Sequence, residues 1–444
     1  MKYQKQRIML GVVALLGFIL ITVVLVTTFL KNPLTVQAVG STYYVSPKGK
    51  DTNMCTEKQP CREIRKALTL VKAGDIVFVT NGKYKGFDLK SINGTTDAPI
   101  TIKAQGTDVE IMTTTDRVDN RDTVHIGPSS SYIVLDGIRS FNANRAAVRV
   151  DASSHITIKN SIFGNNAKWG IFTNHSDDLL IENNETYGSK VEHGIYVSNS
   201  GDRPVIRGNR SHDNYICGIH MNGDVSQGGD GIISGAIVEN NIVYNNGRGG
   251  GAGINMDGTQ DTIVRNNILY NNHAGGITMY KIDAAQGPKN NQVYHNTIDM
   301  ASDGRYDVLV SQSNGSNSIH NNILYTRNKS RGGILYKAMP DVTNTDSAYN
   351  IFGGAPYITS DDGATRIRLT DWQAQGRESH SFISEITGLV MQPYNEIINA
   401  VNYHLKKGSP AIDAGQLLPN VMVDFENNKR PIGTSSDIGA DEFN

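Results

Sequence analysis

One short phrase recurs along the middle of the chain: HGIYVSN, CGIHMNG, AGINMDG, GGITMYK. Its glycines fall at Gly170, Gly194, Gly218, Gly253 and Gly276, a spacing of 23 or 24 residues except for one longer step after Gly218. Between Tyr132 and Tyr325 a second phrase recurs in step with it, in forms such as LLIENNETY, AIVENNIVY, TIVRNNILY and NSIHNNILY. A unit this short cannot bury its own apolar face, so neighbouring units must stack. Leucine-rich repeats have a similar period, but the L-x-x-L-x-L pattern and its helical segment are missing. What remains is period-two alternation, β-branched residues and Gly/Asn turns, which predict three short strands per turn stacked into parallel sheets. The predicted fold class is all-β, a single-stranded parallel β-helix. Asn184, Asn209, Asn241, Asn267, Asn296 and Asn322 would form one ladder of stacked amides.

Alternation also assigns a direction to each side chain. With Ile195, Val197, Ile219, Met221, Ile254, Met256, Ile277 and Met279 inward, the residues between them face outward. The first outward column reads Arg149, Phe172, Tyr196, His220, Asn255, Thr278; the second reads Asp151, Asn174, Ser198, Asn222, Asp257, Tyr280, with Lys281 just beyond. Strands stack about 4.8 Å apart, so residues a whole repeat apart become neighbours, and a groove along the axis suits a polymer. His220, Tyr280, Lys281 and Asp257 are the candidate catalytic groups, able to take or give a proton. Tyr196, Asn222 and Asn255 are candidate substrate ligands. The ordinary alternative is a solvated sheet face.

Two further signals come from departures. The residue after the Asn pair reads Ile162, Glu185, Arg210, Ile242, Ile268, Thr297, Ile323. Two rungs break the apolar habit there, which adds Arg210 as a candidate substrate ligand; a surface ion pair with Glu185 is the plainer reading. The stretches NGDVSQGGDGIISG and NNGRGGGAG lengthen turns beside the Gly-Ile strands, where loops on a rigid scaffold carry function. Asp224, Asp230 and Asp257 would gather there around Ca²⁺, with Asp224 and Asp257 as the metal ligands; as single acids they are also ordinary turn formers. RGGGAG matches no phosphate-cradling fingerprint.

Residues 1–38 read as a signal peptide or an uncleaved signal anchor. Lys2, Lys5 and Arg7 precede an apolar run from Ile8 to Leu30, and small residues follow around Val36-Gln37-Ala38. Either way the rest is expected outside the cytoplasm, secreted or held on the outer face of the membrane. Cys55 and Cys61, in CTEKQPC, read as a disulfide in that compartment, because a zinc site needs more ligands than this segment offers. Cys217 reads as a small buried hydrophobe. Residues 62–73 (REIRKALTLVKA) put Ile64, Ala67, Leu68 and Val71 on one helical face, a cap over the first rung. A net charge of −1 and no basic tract beyond the first residues argue against a nucleic-acid partner. A monomer is expected.

The start YYVSPKGKD with its Cys pair and helix, the Asn-Asn rungs, and the ending GSPAIDAG...RPIGTSSDIGADEF resemble exported right-handed parallel β-helix proteins of the pectate-lyase-like superfamily. The resemblance spans nearly all of residues 42–444. It divides the chain into an N-terminal cap with the first rungs (42–131), the repeats (132–350), and C-terminal rungs with a capping segment (351–444). It implies that the Gly-Ile phrase is the first strand of each turn, in the sheet that floors a sugar groove. Members include polysaccharide lyases, glycoside hydrolases, uronate epimerases and proteins with no known activity. The outward columns hold more His, Asn, Tyr and Lys than acids, which favours a lyase acting on a uronate-containing polysaccharide by β-elimination. In that expectation His220 is the base, Tyr280 or Lys281 the acid or alternative base, and Asn222, Asn255 and a cation neutralise the carboxylate. A C5 epimerase would use nearly the same groups. A glycoside hydrolase would need two carboxyl groups, which Asp224 and Asp257 would supply. A non-catalytic glycan-binding or adhesive solenoid is the alternative outside enzymology.

Overall fold

Two residues decide each turn of the chain. The first of each Asn pair takes a left-handed conformation, with φ of 54° at Asn183, 56° at Asn240 and 54° at Asn266, which a short amide side chain tolerates better than most. That bend turns the second Asn inward, and Asn184, Asn209, Asn241, Asn267, Asn296 and Asn322 are all buried. From Asn209 onward each inward oxygen accepts two hydrogen bonds from the Asn one rung before it, while Asn184 Oδ1 accepts from Ser161 N. Asn209 donates to Asn241 Oδ1 from its backbone N at 2.9 Å and from Nδ2 at 3.0 Å, and Asn241 does the same to Asn267 at 3.0 and 2.9 Å. The remaining amide hydrogen goes to a rung carbonyl, as from Asn241 to Ile206 O at 2.9 Å. The ladder continues to Asn350. A second ladder, not foreseen in the sequence, runs through Asn214, Asn246 and Asn272 at the turn that leads into the Gly-Ile strands.

The computed structural model describes residues 40–112, 121–397 and 400–444. The expected signal or anchor segment, 1–38, lies outside them, and among the described residues no helix is long and apolar enough to cross a membrane. The chain winds a parallel β-solenoid of about eleven turns. One face is an 11-stranded sheet, and the strands flanking the Asn turn make up a 22-stranded sheet. The 11-stranded sheet contains β1 (Trp169–Asn174), β2 (Ile195–Ser198), β3 (Ile219–Asn222), β4 (Ala252–Asp257) and β5 (Gly275–Tyr280). Their register pairs Ile195, Ile219, Ile254 and Ile277 in one column and Val197, Met221, Met256 and Met279 in the next. All eight are fully buried, as alternation requires.

The N-terminal end of the core and one flank are covered. The N-terminal helix is shorter than its sequence pattern, Ile64–Leu68, and buries Ile64, Ala67 and Leu68, with Val71 packing beside them. Cys55 and Cys61 form the disulfide and are buried against this cap. The C-terminal segment lies along the side of the solenoid as well. Ile438, Ala440 and Ala411 pack on Ile268, Ile323 and Ile351. The Arg430 guanidinium, wholly buried, reaches Glu442, His295 and the carbonyls of Asp437, Gly439 and Ala440. This explains the apolar habit after the Asn pair in the later rungs: Ile268 and Ile323 are covered by the tail, with Ile242 packed at its edge.

Replacing Asn241 with Ala removes the acceptor for two donors of Asn209 and strands them in the core. An unmet buried donor costs about 1–3 kcal/mol. The expected outcome is a lower urea midpoint, equivalent to about 2 kcal/mol or more, with the β-type circular dichroism spectrum retained; an unchanged midpoint would show that the ladder contributes little.

Candidate active site

The register brings the two outward columns together as the alternation predicts. Tyr196, His220, Asn255 and Thr278 are consecutive neighbours across β2 to β5, and Ser198, Asn222, Asp257 and Tyr280 form the adjacent column. Two loops hydrogen-bond to each other at the edge of this face, Val225 N to Asp283 O at 3.0 Å and Ala285 N to Gly231 O at 2.9 Å. They make a wall over the second column, so that Asn222 and Asp257 are buried while Tyr196, His220, Tyr280 and Lys281 remain partly exposed.

His220 does not stand alone. His193, whose side chain the sequence reading passed over, lies at the start of the preceding rung, with its Nε2 3.0 Å from His220 Nδ1. The backbone N–H of Cys217 donates to His193 Nδ1 at 3.2 Å. That bond settles the protons along the chain of rings. With Nδ1 accepting, neutral His193 carries its hydrogen on Nε2 and donates it to His220 Nδ1, so neutral His220 must carry its own hydrogen on Nε2. Burial pulls the His220 imidazole down to about 3. Burial, then the charges of His220 and Lys168, pull His193 well below its ordinary value. Both rings are therefore neutral near pH 7. His220 Nε2–H is buried and has no hydrogen-bond partner among the described residues. A buried donor left unpaired is costly and rare, and it marks a place where a ligand oxygen would be welcome.

The expectation that His220 is the base is thus corrected: its outer nitrogen carries a proton and can only donate. Two phenols share that character. Asn222 Nδ2 donates to Tyr196 OH at 3.1 Å, and Asn255 Nδ2 donates to Tyr280 OH at 2.6 Å. Each hydroxyl therefore has its own hydrogen left to give. Burial, the largest influence on both, pushes Tyr196 up to about 12 and Tyr280 well above its usual range, so both remain protonated. The Tyr196 ring stacks on His220, centroids 4.8 Å apart and 14° from parallel. Beside them Glu192 accepts from Lys168 Nζ and Trp169 Nε1, each at 2.8 Å.

Other expected roles also change. Asn222 and Asn255 support the two phenols; Asn255 accepts from Thr278 as well and is almost wholly buried, so neither is a direct substrate ligand. Asp257 is an anchor: its two oxygens take the backbone N–H groups of Ile282 and Asp283, both at 2.9 Å, and hold the 281–287 loop in place. Asp224 Oδ1 takes Ser226 N and Oγ, and Asp230 Oδ1 takes Ile232 N. These acids shape turns, and none of them belongs to the group of metal-capable side chains found among the described residues. Arg210 lies in the other sheet, exposed, 4.0 Å from Glu185 and bonded to Tyr244, and is not part of this face. Lys281 follows Tyr280 at the rim, and its ammonium makes no bond among the described residues. His193, Cys217 and His220 bring possible ligand atoms within 4.8 Å of one another. The Cys217 N–H bond argues against a metal there, because with Nδ1 accepting, neutral His193 carries its proton on the Nε2 that would have to ligate.

Residues 43–328 match the model of a family described as "Pel9A-like, right handed beta helix region". A search of curated proteins finds no match. Similar solved structures include pectate lyase Pel9A, at 17% identity over 92% of this chain and 98% of that one, with a TM-score of 0.61. An alginate lyase from Paenibacillus sp. str. FPU-7 is 21% identical over 66% of this chain and 97% of its own, TM-score 0.51. XylC, solved with xylose, is 12% identical over 90% and 98%, TM-score 0.53. At such identities the likeness is one of fold.

The tautomers are directly measurable. Two-bond ¹H–¹⁵N spectra at neutral pH should find His193 and His220 both neutral and both protonated on Nε2; an Nδ1–H form or an imidazolium at His220 would contradict the assignment. A second outcome follows from the low value of His220. Its ordinary value is 6.5, so as pH falls from about 6.5 toward about 3 the unfolded chain takes up a proton that the folded site refuses, and stability is lost across that window. In urea titrations His220→Gln should flatten that loss.

Proposed function

This chain belongs to the Pel9A-like right-handed β-helix family, and from that premise we propose that it is an exported carbohydrate-active enzyme, a lyase that cleaves a uronate-containing polysaccharide by β-elimination. The observation that carries the proposal is the set of three donors without acceptors on three of four consecutive rungs, β2, β3 and β5: His220 Nε2–H and the hydroxyls of Tyr196 and Tyr280. Such a site suits an acidic sugar. Pectate and alginate, the polymers in the names of two structural relatives, are both built of uronates.

In the proposed reaction Lys281 removes the proton on C5. The electron pair is first held by the adjacent carboxylate, whose growing negative charge is met by His220 Nε2–H and Tyr196 O–H, neutral donors aimed at developing charge. The C4–O4 bond then breaks, the C4–C5 double bond forms, and O4 takes the Tyr280 proton. The Lys281 ammonium returns a proton to the phenolate and closes the cycle. A hydrolase reading loses ground because Asp257 and Asp224 are committed to loop bonds. The disulfide Cys55–Cys61 suits an oxidising compartment outside the cytoplasm.

Purified protein should generate the ultraviolet absorbance of a C4–C5 unsaturated uronate from polygalacturonate or alginate, with chelator present. Lys281→Ala should lower turnover by about a hundredfold or more. His220→Ala should cost about 10²–10³-fold, the usual effect of removing one donor to developing charge, while His220→Gln, which restores an N–H, should recover much of it. Reducing ends without the absorbance would make it a hydrolase, inversion at C5 without it an epimerase, and binding without turnover an adhesive solenoid. Glutamine no better than alanine at position 220 would remove the donor role.

A further inference from the structure

The RGGGAG insertion plays no part in the reaction proposed above, yet it is built onto a tyrosine. Gly249 N donates to Tyr215 O at 2.7 Å. A Cβ on Gly249 would stand 2.3–2.8 Å from the Tyr215 ring, and one on Gly251 would stand 2.5 Å from Cys217 Sγ, so only glycine lets the loop lie this close. The Tyr215 ring is backed by Gly249 and still 49% exposed. It borders a cleft of about 230 Å³ that includes Lys190, Asp213, Asn245 and Arg248. The Lys190 and Arg248 side chains are exposed and make no hydrogen bond or ion pair among the described residues. Asp213, the acid in the lining, is bonded to His212 Nδ1 at 2.7 Å and Asn245 Nδ2 at 3.2 Å; burial is outweighed by these groups and the nearby Arg248 charge, which hold its carboxyl below the usual range. Two cations without a hydrogen-bonded partner and a half-open aromatic ring therefore share one concave site, with Asp213 at its edge. It lies on the turns just before β2, β3 and β4, beside the groove and not in it.

We propose that this cleft is a second carbohydrate-binding site, which takes one acidic unit of the polymer with the Tyr215 ring against the sugar and Lys190 and Arg248 on its carboxylate. An aromatic ring offers a large apolar face at little entropic cost, and a guanidinium matches a carboxylate fork. The acid-sugar identity rests on the lyase reading, but the cleft itself does not. A chain held here and in the groove would be kept near the reacting site between turnovers, a gain in effective concentration without new chemistry.

The test is affinity electrophoresis of the full protein through gels containing polygalacturonate, with neutral dextran as the control. The wild type should be retarded by polygalacturonate, less so at high salt, and not by dextran. Lys190→Gln/Arg248→Gln and, separately, Tyr215→Ala should each weaken that retardation about tenfold or more, with melting temperatures unchanged and turnover of a short uronate oligomer within about twofold of wild type. Retardation that persists undiminished in both variants, or that is equal in dextran, would overturn the site. If no polymer is turned over but the variants still lose retardation, the cleft stands and the lyase reading falls.

Discussion

The hydrogen bond between one buried asparagine and the next is the contact on which the rest of the molecule depends. A solenoid must turn its backbone at the same place in every rung without leaving polar groups unpaired in the core. Here one residue in the left-handed region makes the bend, and the next sends its amide inward to serve both its own rung and its neighbours, as Asn241 does with Asn209, Asn267 and Ile206. Because each amide fits only directly above another, the ladder locks the register of all the strands it joins. Residues 23 or more positions apart in the chain are thereby held side by side with an accuracy that a loop would not provide.

That register produces the candidate site. Once Ile219 and Met221 are committed to the core, His220 has to face outward between Tyr196 and Asn255. The peptide of Cys217 then reaches His193, and a single backbone hydrogen bond determines which nitrogen of His220 carries the proton. The amides of Asn222 and Asn255 act on the phenols in the same way. The chemistry of the face is set by residues that are almost wholly buried beneath it.

The solenoid, the inward methionines, the outward columns and the disulfide were all legible in the sequence, because each rests on a local periodicity or a short spacing. The roles within the columns were not. Alternation says that Asp257 faces outward, but it cannot say that the 281–287 loop folds over it and takes both its oxygens. Nor does it reveal that the tail covers the isoleucines around Arg210's column, so that a charge there marks the edge of the covered area. His193 was visible as the first letter of one copy of the repeat; the signal lay in a bulky polar residue at a position where Ala252 and Gly275 are small. Its importance depends on a ring-to-ring hydrogen bond across rungs, which pattern alone does not encode.

The central claim is that the outward face offers hydrogens to an acidic sugar and that His220 gives one of them. A crystal structure of the Lys281→Ala variant with a bound uronate tetramer tests it most directly. A carboxylate oxygen should lie about 3 Å from His220 Nε2, with the Tyr196 or Tyr280 hydroxyl on the same sugar unit. A tetramer whose carboxylates are held through a cation at Asp224, or that leaves His220 Nε2 without a partner, would contradict it.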